Sequence, residues 1–270
     1  MKYNFKYFIT FFILSFSLYA SFEKREAGAR EQSLGNSVVA LDNTPFAIIY
    51  NPANIRPGPA FNVYANYRNF YGLPGIYQAD IVANTPIYGI GFAFAVSKYG
   101  NDLYSEVEIS AGGSYNITEN LSLGIGLQGY FLSIKNYGDS QSFGLNLGFQ
   151  YEYLETLSIG AFITNINNPR IGSVEEELPQ TFSLGFKYDL MKRASLFFEL
   201  FRDVKHEQDY RGGFEYEPYD NIFLRVGIMD NTSSYSFGFG SSINFLIFDY
   251  ALIDHSVLGI SHAITIGVEI

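Results

Sequence analysis

From about residue 60 onward the chain alternates strictly, one large apolar residue followed by one small or polar residue, with no sustained helical spacing. Residues 143–153 place Phe143, Leu145, Leu147, Phe149, Tyr151 and Tyr153 on one face and Gly144, Asn146, Gly148, Gln150 and Glu152 on the other. The same pattern recurs in 86–97, in 181–190 and in the last ten residues, where Ile264, Ile266, Val268 and Ile270 alternate with Ala263, Thr265, Gly267 and Glu269. This periodicity predicts fourteen antiparallel strands near 60–70, 76–84, 86–99, 103–116, 121–135, 140–154, 155–165, 180–190, 194–205, 209–218, 221–229, 233–243, 244–254 and 261–270.

The connections carry a second pattern. Every other one is tight, at Asn84-Thr85-Pro86, Thr118-Glu119-Asn120, Glu155, Met191-Lys192-Arg193, Tyr219-Asp220 and Ile243-Asn244. Those between are mostly longer, among them KNYGDS, DVKHEQD, DHSVLGIS and the 165–180 segment. Short turns at one end and longer loops at the other, with an even strand number, are the signature of a transmembrane barrel. A soluble β-sandwich or small barrel also alternates, but it buries its large residues and shows Lys, Glu and Thr to water. Here the second face is rich in Gly, Ala, Ser and Asn, which suits a lumen occupied by a plug or by a narrow column of water, with Phe and Leu facing lipid. The fold class expected is therefore all-β, a transmembrane antiparallel barrel of about fourteen strands.

Composition sharpens this picture. The first twenty residues combine Lys2 and Lys6, an apolar run from Tyr7 to Tyr19 and a small residue, Ala20, which is the make-up of a cleavable signal peptide. No later apolar run is long enough for a spanning helix, so a membrane-embedded mature chain crosses as strands. The chain has 22 Tyr, 26 Phe and no Trp, so Tyr and Phe must build both interfacial girdles. It has no Cys, which excludes disulfides, thiol catalysis and a lipid-modified N-terminus. Formal charge is −10, and −12 without Lys2 and Lys6, which gives nucleic acid no reason to bind. The organisation expected is a signal peptide at 1–20, an N-terminal segment at 21–59 and a barrel at 60–270.

Apparent chemical motifs do not survive their context. Gly124-Ile125-Gly126-Leu127-Gln128-Gly129 fits GxGxxG but lies inside an alternating strand with no helix after it. Asp254-His255-Ser256 are sequence neighbours and cannot form a relayed triad. His206, His255 and His262 are too few for a metal site, and Glu175-Glu176-Glu177 reads as a solvated acidic loop. The expectation is a non-enzymatic protein without cofactor or metal. The residues of interest are charges predicted on the lumen face: Asp80, Glu106, Glu108, Lys187, Glu199, Arg211, Glu215, Arg225 and Asp249. Inside a narrow barrel they should pair with one another or with charges of the N-terminal segment such as Arg30 and Asp42.

That segment departs from period two. Asn51-Pro52 initiates a turn, Pro57-Gly58-Pro59 breaks the chain before the first strand, and Phe46-Ala47-Ile48-Ile49-Tyr50 needs burial that the barrel interior offers. A periplasmic extension is the competing placement. Gly28-Ala29-Arg30, Leu34-Gly35, Val38-Val39-Ala40, Asp42 and Tyr50-Asn51-Pro52-Ala53 resemble the mature start of FadL-like outer-membrane proteins, and especially the PorV/PorQ group among them. Asp249-Tyr250, Leu258-Gly259 and Ser261-His262 resemble the ending of the same group. The terminal Ile270 departs from the Phe or Trp that ends most outer-membrane barrels. The resemblance implies a barrel closed by an inward-folded hatch that contains Asn51-Pro52-Ala53. It also implies one of two roles: passage of small hydrophobic molecules, or an accessory barrel of a type IX protein secretion system that binds cargo or partner proteins. The partners it implies are outer-membrane lipid together with hydrophobic solutes or secretion-system proteins.

Overall fold

A computed structural model describes residues 21–23, 26–42, 44–55 and 61–269. The predicted signal peptide, Pro57-Gly58-Pro59 and Ile270 lie outside the described residues. Three short helical turns come first: α1 (Ala29–Ser33), α2 (Ala47–Tyr50) and a 3-10 turn at Pro52–Asn54. Sixteen strands follow. They are β1 (Asn62–Asn69), β2 (Tyr77–Ile87), β3 (Ile90–Gly100), β4 (Tyr104–Asn116), β5 (Leu121–Ile134), β6 (Gly138–Leu154), β7 (Leu157–Ile163), β8 (Arg170–Ile171), β9 (Glu176–Glu177), β10 (Thr181–Met191), β11 (Ala194–Asp203), β12 (Gln208–Tyr219), β13 (Ile222–Met229), β14 (Ser234–Ile243), β15 (Leu246–His255) and β16 (Gly259–Glu269).

Fourteen of these strands close into one antiparallel ring in which each pairs with its sequence neighbours. β1 seals the ring against β16 from Asn62↔Glu269 to Asn69↔His262. Closure leaves no strand edge unpaired, the condition for a sheet in hydrocarbon. The remaining pair, β8 and β9, forms a small ladder within the long connection from β7 to β10.

Side-chain direction follows the alternation. On β10, Thr181, Ser183 and Gly185 are buried while Phe182, Leu184 and Phe186 are exposed on the outside. Large apolar residues make up the outer wall of most strands, the reverse of a soluble barrel. Outward tyrosines collect at the two rims. Tyr67, Tyr77, Tyr210 and Tyr235 mark one, and Tyr115, Tyr151, Tyr153, Tyr188 and Tyr216 mark the other, where chain ends and tight turns sit. These are the two girdles expected at membrane interfaces, built without Trp.

One predicted turn is displaced. Asn84-Thr85-Pro86 does not reverse the chain; β2 runs on to Ile87 and the reversal falls at Tyr88-Gly89, with φ of 50° and 80°. A two-residue hairpin of this twist needs left-handed conformations at both central positions, which Pro cannot adopt. Pro86, opposite Gly91, is instead accommodated within the strand near its end.

The apolar core lies inside the ring. Leu34, Val38, Leu41, Phe46, Ile48, Tyr50 and Ile55 pack against Tyr64, Val82, Ala93, Ala95 and Phe197 of the inner wall. Residues 26–42 and 44–55 thus occupy the lumen.

Candidate functional site: the occupied lumen

The N-terminal segment crosses the lumen from wall to wall. α1 rests against β13 to β16 and the 3-10 turn against β4 to β6, on opposite sides of the ring. Gly28 starts α1 at φ 83°, where a Cβ would also strike the Glu31 carboxylate at 2.0 Å, so glycine is required there. Tyr50 ties the segment to itself: its hydroxyl accepts from Ala27 N at 3.0 Å and donates to Ala27 O at 2.9 Å. Asn51 nucleates the 3-10 turn by accepting from Ala53 N at 3.1 Å, with Pro52 at the first helical position. The Asn51 amide nitrogen donates to Val39 O at 2.7 Å and to Phe149 O of β6 at 3.0 Å.

The glycine-rich inner face is explained by this packing. A Cβ on Gly124 or Gly148 would lie 2.2 Å from Ala53 N or from Asn51 Oδ1; on Gly160 it would lie 2.2 Å from Val39 O, and on Gly227 2.1 Å from Gly35 N. The segment's backbone touches the wall, and side chains there would leave no room for it. Gly35 itself, at φ 62°, would set a Cβ 2.7 Å from the backbone of Ile228. Gly124 of the GxGxxG match is therefore a packing contact beneath Pro52-Ala53.

Charges complete the seam. Arg30 grips Glu215 with two parallel bonds, Nε to Oε2 at 3.0 Å and Nη2 to Oε1 at 2.8 Å. Arg225 donates to the same Glu215 at 2.6 Å and to Asp249 at 2.5 Å, so two cations and two carboxylates alternate across α1, β12, β13 and β15. Asp42 accepts from Gln150 at 3.1 Å and stands 4.0 Å from Lys187 Nζ, which also pairs with Asp189 at 3.1 Å. Glu199 accepts from Val39 N at 3.0 Å and Glu106 from Phe22 N at 3.1 Å. Arg211 pairs with Asp209 at 2.7 Å and lies 3.9 Å from Glu26. Asp80 is held by wall residues, Asn66 at 2.7 Å and Gln78 at 2.9 Å, and Glu108 by Gln128. Of the charges expected on the lumen face, Glu106, Lys187, Glu199, Arg211 and Glu215 meet the segment directly.

Sequence reasoning passed over Glu26, Glu31, Arg68 and Asp209. Arg68 pairs with Glu26 at 3.4 Å. Its position, two residues from inward Asn66, and that of Asp209, two from Arg211, carried a usable parity signal. Glu31 carried none. It is fully buried, receives the Thr44 hydroxyl, and burial pushes its carboxyl up to about 7 against the opposing pull of Thr44 and Arg30.

A cavity of about 200 Å3 opens at the turn end beside Arg30, Glu31, Phe46, Arg225 and Asp249. A smaller cavity of about 40 Å3 lies at the loop end beside Phe22, Ile49, Glu108 and Tyr130.

The other motifs stay structural. His255 Nδ1 accepts from Val257 N and Leu258 N of its own turn, and His262 Nδ1 bonds the Tyr250 hydroxyl on the outer face. Glu175 and Glu177 pair with Arg170. Among the described residues no cluster of His, Cys, Asp and Glu is arranged to hold a metal ion.

Several solved structures share the fold of this chain. The toluene transporter TodX of P. putida superimposes with a TM-score of 0.72 at 11% identity, covering 92% of this chain and 99% of that one. This chain has the FadL/TodX barrel fold. The toluene transporter TbuX of Ralstonia pickettii gives a TM-score of 0.68 at 12% identity over 90% of this chain and 98% of that one. A FadL homologue of Pseudomonas aeruginosa gives 0.61 at 12% identity over 91% and 98%. No sequence-family description matches the chain, and no curated relative does.

Proposed function

We propose that this protein is an integral outer-membrane barrel that passes small hydrophobic molecules, with residues 21–59 as its hatch, and that it performs no covalent chemistry. The observation that carries this reading is how the lumen is filled. The segment is held by side-chain hydrogen bonds, ion pairs and van der Waals contact, while strand pairing closes without it. Such a plug can shift while the barrel stays intact. The apolar exterior agrees with insertion in a bilayer, and the fold shared with two toluene transporters supports a hydrophobic solute.

The test is uptake into proteoliposomes. Purified protein should accelerate entry of a monoaromatic hydrocarbon such as toluene over protein-free vesicles and leave a sugar of similar size outside. Equal rates with and without protein would overturn the reading.

A second reading is an accessory barrel of a protein secretion system, of the PorV/PorQ type. It rests on the resemblance of Gly28-Ala29-Arg30 and Asp249-Tyr250 to the two ends of that group. Under this reading, loss of the gene should strand exported proteins in the periplasm while hydrocarbon uptake is unchanged.

A further inference from the structure

The cavity at the turn end lies between the segment and the wall and takes its lining from both. The segment contributes Phe46, with Arg30 and Glu31 of α1. The wall contributes Phe223 of β13, Ser242 of β14, Ile247 and Asp249 of β15, and Glu269 at the end of β16. In the ladder between β14 and β15, Ser242 stands opposite Ile247 and Gly240 opposite Asp249. Gly240 keeps the wall open there, since a Cβ on it would meet Asp249 Oδ1 at 2.4 Å. The Arg225 guanidinium sits over the Phe223 ring, 5.2 Å from its centroid, a cation–π contact that fixes the aromatic wall.

Size, polarity and charge together name an occupant. An apolar cavity of roughly 150 Å3 takes one benzene ring, so about 200 Å3 holds a single aromatic ring with a small substituent. Phe46, Phe223 and Ile247 give that ring apolar surface to rest on. A plain hydrocarbon would cover the Asp249 and Glu269 carboxylates without returning a hydrogen bond, at the cost of their desolvation. The two arginines are both bonded to Glu215, and Arg225 also to Asp249, so an anion would compete with carboxylates already in place. A neutral hydroxyl avoids both penalties. Asp249 Oδ1 accepts from Arg225 and Glu269 Oε1 from Tyr64, which leaves each carboxylate with acceptor capacity to spare. Glu31 adds a further acceptor, for its Oε2 is buried with no hydrogen-bond partner. We propose that this cavity binds a neutral single-ring aromatic carrying one hydroxyl, a phenol, with its ring on Phe46, Phe223 and Ile247 and its hydroxyl turned to the Asp249 and Glu269 carboxylates. The site rests on the transport reading for its supply of solute, and it narrows that reading from hydrophobic molecules in general to phenols.

Fluorine NMR on the full exported protein in lipid nanodiscs, with empty nanodiscs subtracted, compares p-fluorophenol, fluorobenzene and p-fluorobenzoate. The phenol should bind about tenfold more tightly than fluorobenzene, the ratio expected of one hydrogen bond to a charged acceptor. The benzoate should bind more weakly than the phenol. Ser242→Phe, which puts a ring into the cavity beside Ile247, should abolish phenol binding while heat-modifiable gel mobility reports an intact barrel. Should that variant fail to assemble, p-azidophenol activated by light on the unsubstituted protein should label the peptides that carry Phe46, Phe223 or Ile247, and excess p-fluorophenol should block the labelling. Fluorobenzene or the benzoate bound as tightly as the phenol, unchanged phenol binding in Ser242→Phe, or labelling confined to other peptides overturns the site. Toluene entry into proteoliposomes is read separately. If toluene enters and phenol binding fails, the transport reading stands without this site; if the phenol binds and toluene does not enter, the site stands and the transport reading falls.

Discussion

The Cβ that Gly124 lacks would stand 2.2 Å from the backbone nitrogen of Ala53, so the inner wall of β5 and the Asn51-Pro52-Ala53 turn are fitted to each other without a spare atom. Replacing Gly124 with Leu should displace the turn rather than break the ring, since the ladder hydrogen bonds of β5 do not involve its side chain. Overpacking of this kind costs about 1–3 kcal/mol. The barrel should keep its heat-modifiable mobility while the segment becomes open to limited proteolysis. Retained protease resistance would show that the turn does not bear on this wall.

Arg30 and Glu215 should couple measurably. A double-mutant cycle with Arg30→Ala and Glu215→Ala should return an interaction of about 0.5–3 kcal/mol, read from the denaturant dependence of segment release. Glu215→Ala should be the worse single change, because it strips a carboxylate from both Arg30 and Arg225, whereas Arg30→Ala leaves Glu215 with Arg225. Additive effects would mean that the pair contributes nothing specific.

The hatch should respond to pH through Glu31. Its carboxyl is raised from 4.5 to about 7, chiefly by burial, so the docked segment holds the proton more tightly than the released one. The stabilisation is complete below about pH 4.5 and is lost as pH rises through about 7. Protease release of the segment should therefore be faster at about pH 8 than at about pH 5, and Glu31→Gln should flatten that difference. Faster release on acidification would reverse the assigned sign.

Inner and outer faces can be separated on one strand. Leu184 is exposed on the outer wall at mid-strand, while its neighbour Ser183 is 1% exposed and faces the packed interior. Leu184→Arg should destabilise the folded barrel in lipid vesicles by about 2–4 kcal/mol, the cost of a cation near the bilayer midplane. Ser183→Arg should leave the ring folded and push the segment aside, seen as added conductance in planar bilayers. The opposite assignment of the two effects would place lipid on the wrong face.

Deleting residues 21–55 should leave a barrel that still assembles, because the fourteen ring strands close through their own ladders. Single-channel recording should then show a larger conductance than the intact protein. Equal conductance of the two forms would count against a plugging role for the segment.

Strand number, strand facing and the alternation of short and long connections were legible in the sequence because each depends only on local periodicity, and a one-residue slip would expose an entire face. Asn51-Pro52 likewise announced its turn through local backbone chemistry. The misplaced turn at Pro86 shows the limit of that reasoning, since Gly89 supplied the left-handed conformation that proline could not. The parity of Glu215 and Arg225 told which way they point but not that Glu215 would also hold Arg30, or Arg225 also hold Asp249. That depends on cross-strand register around a closed ring and on the direction in which the segment crosses it. Glu31 is the clearest case: one helical turn of AREQS looks polar in sequence, and only its position against the wall, inside a ring whose outer face carries the apolar residues, makes that glutamate a buried one. The bareness of the inner face, written in the sequence as Gly124, Gly148, Gly160 and Gly227, acquires its reason only when a backbone lies against it.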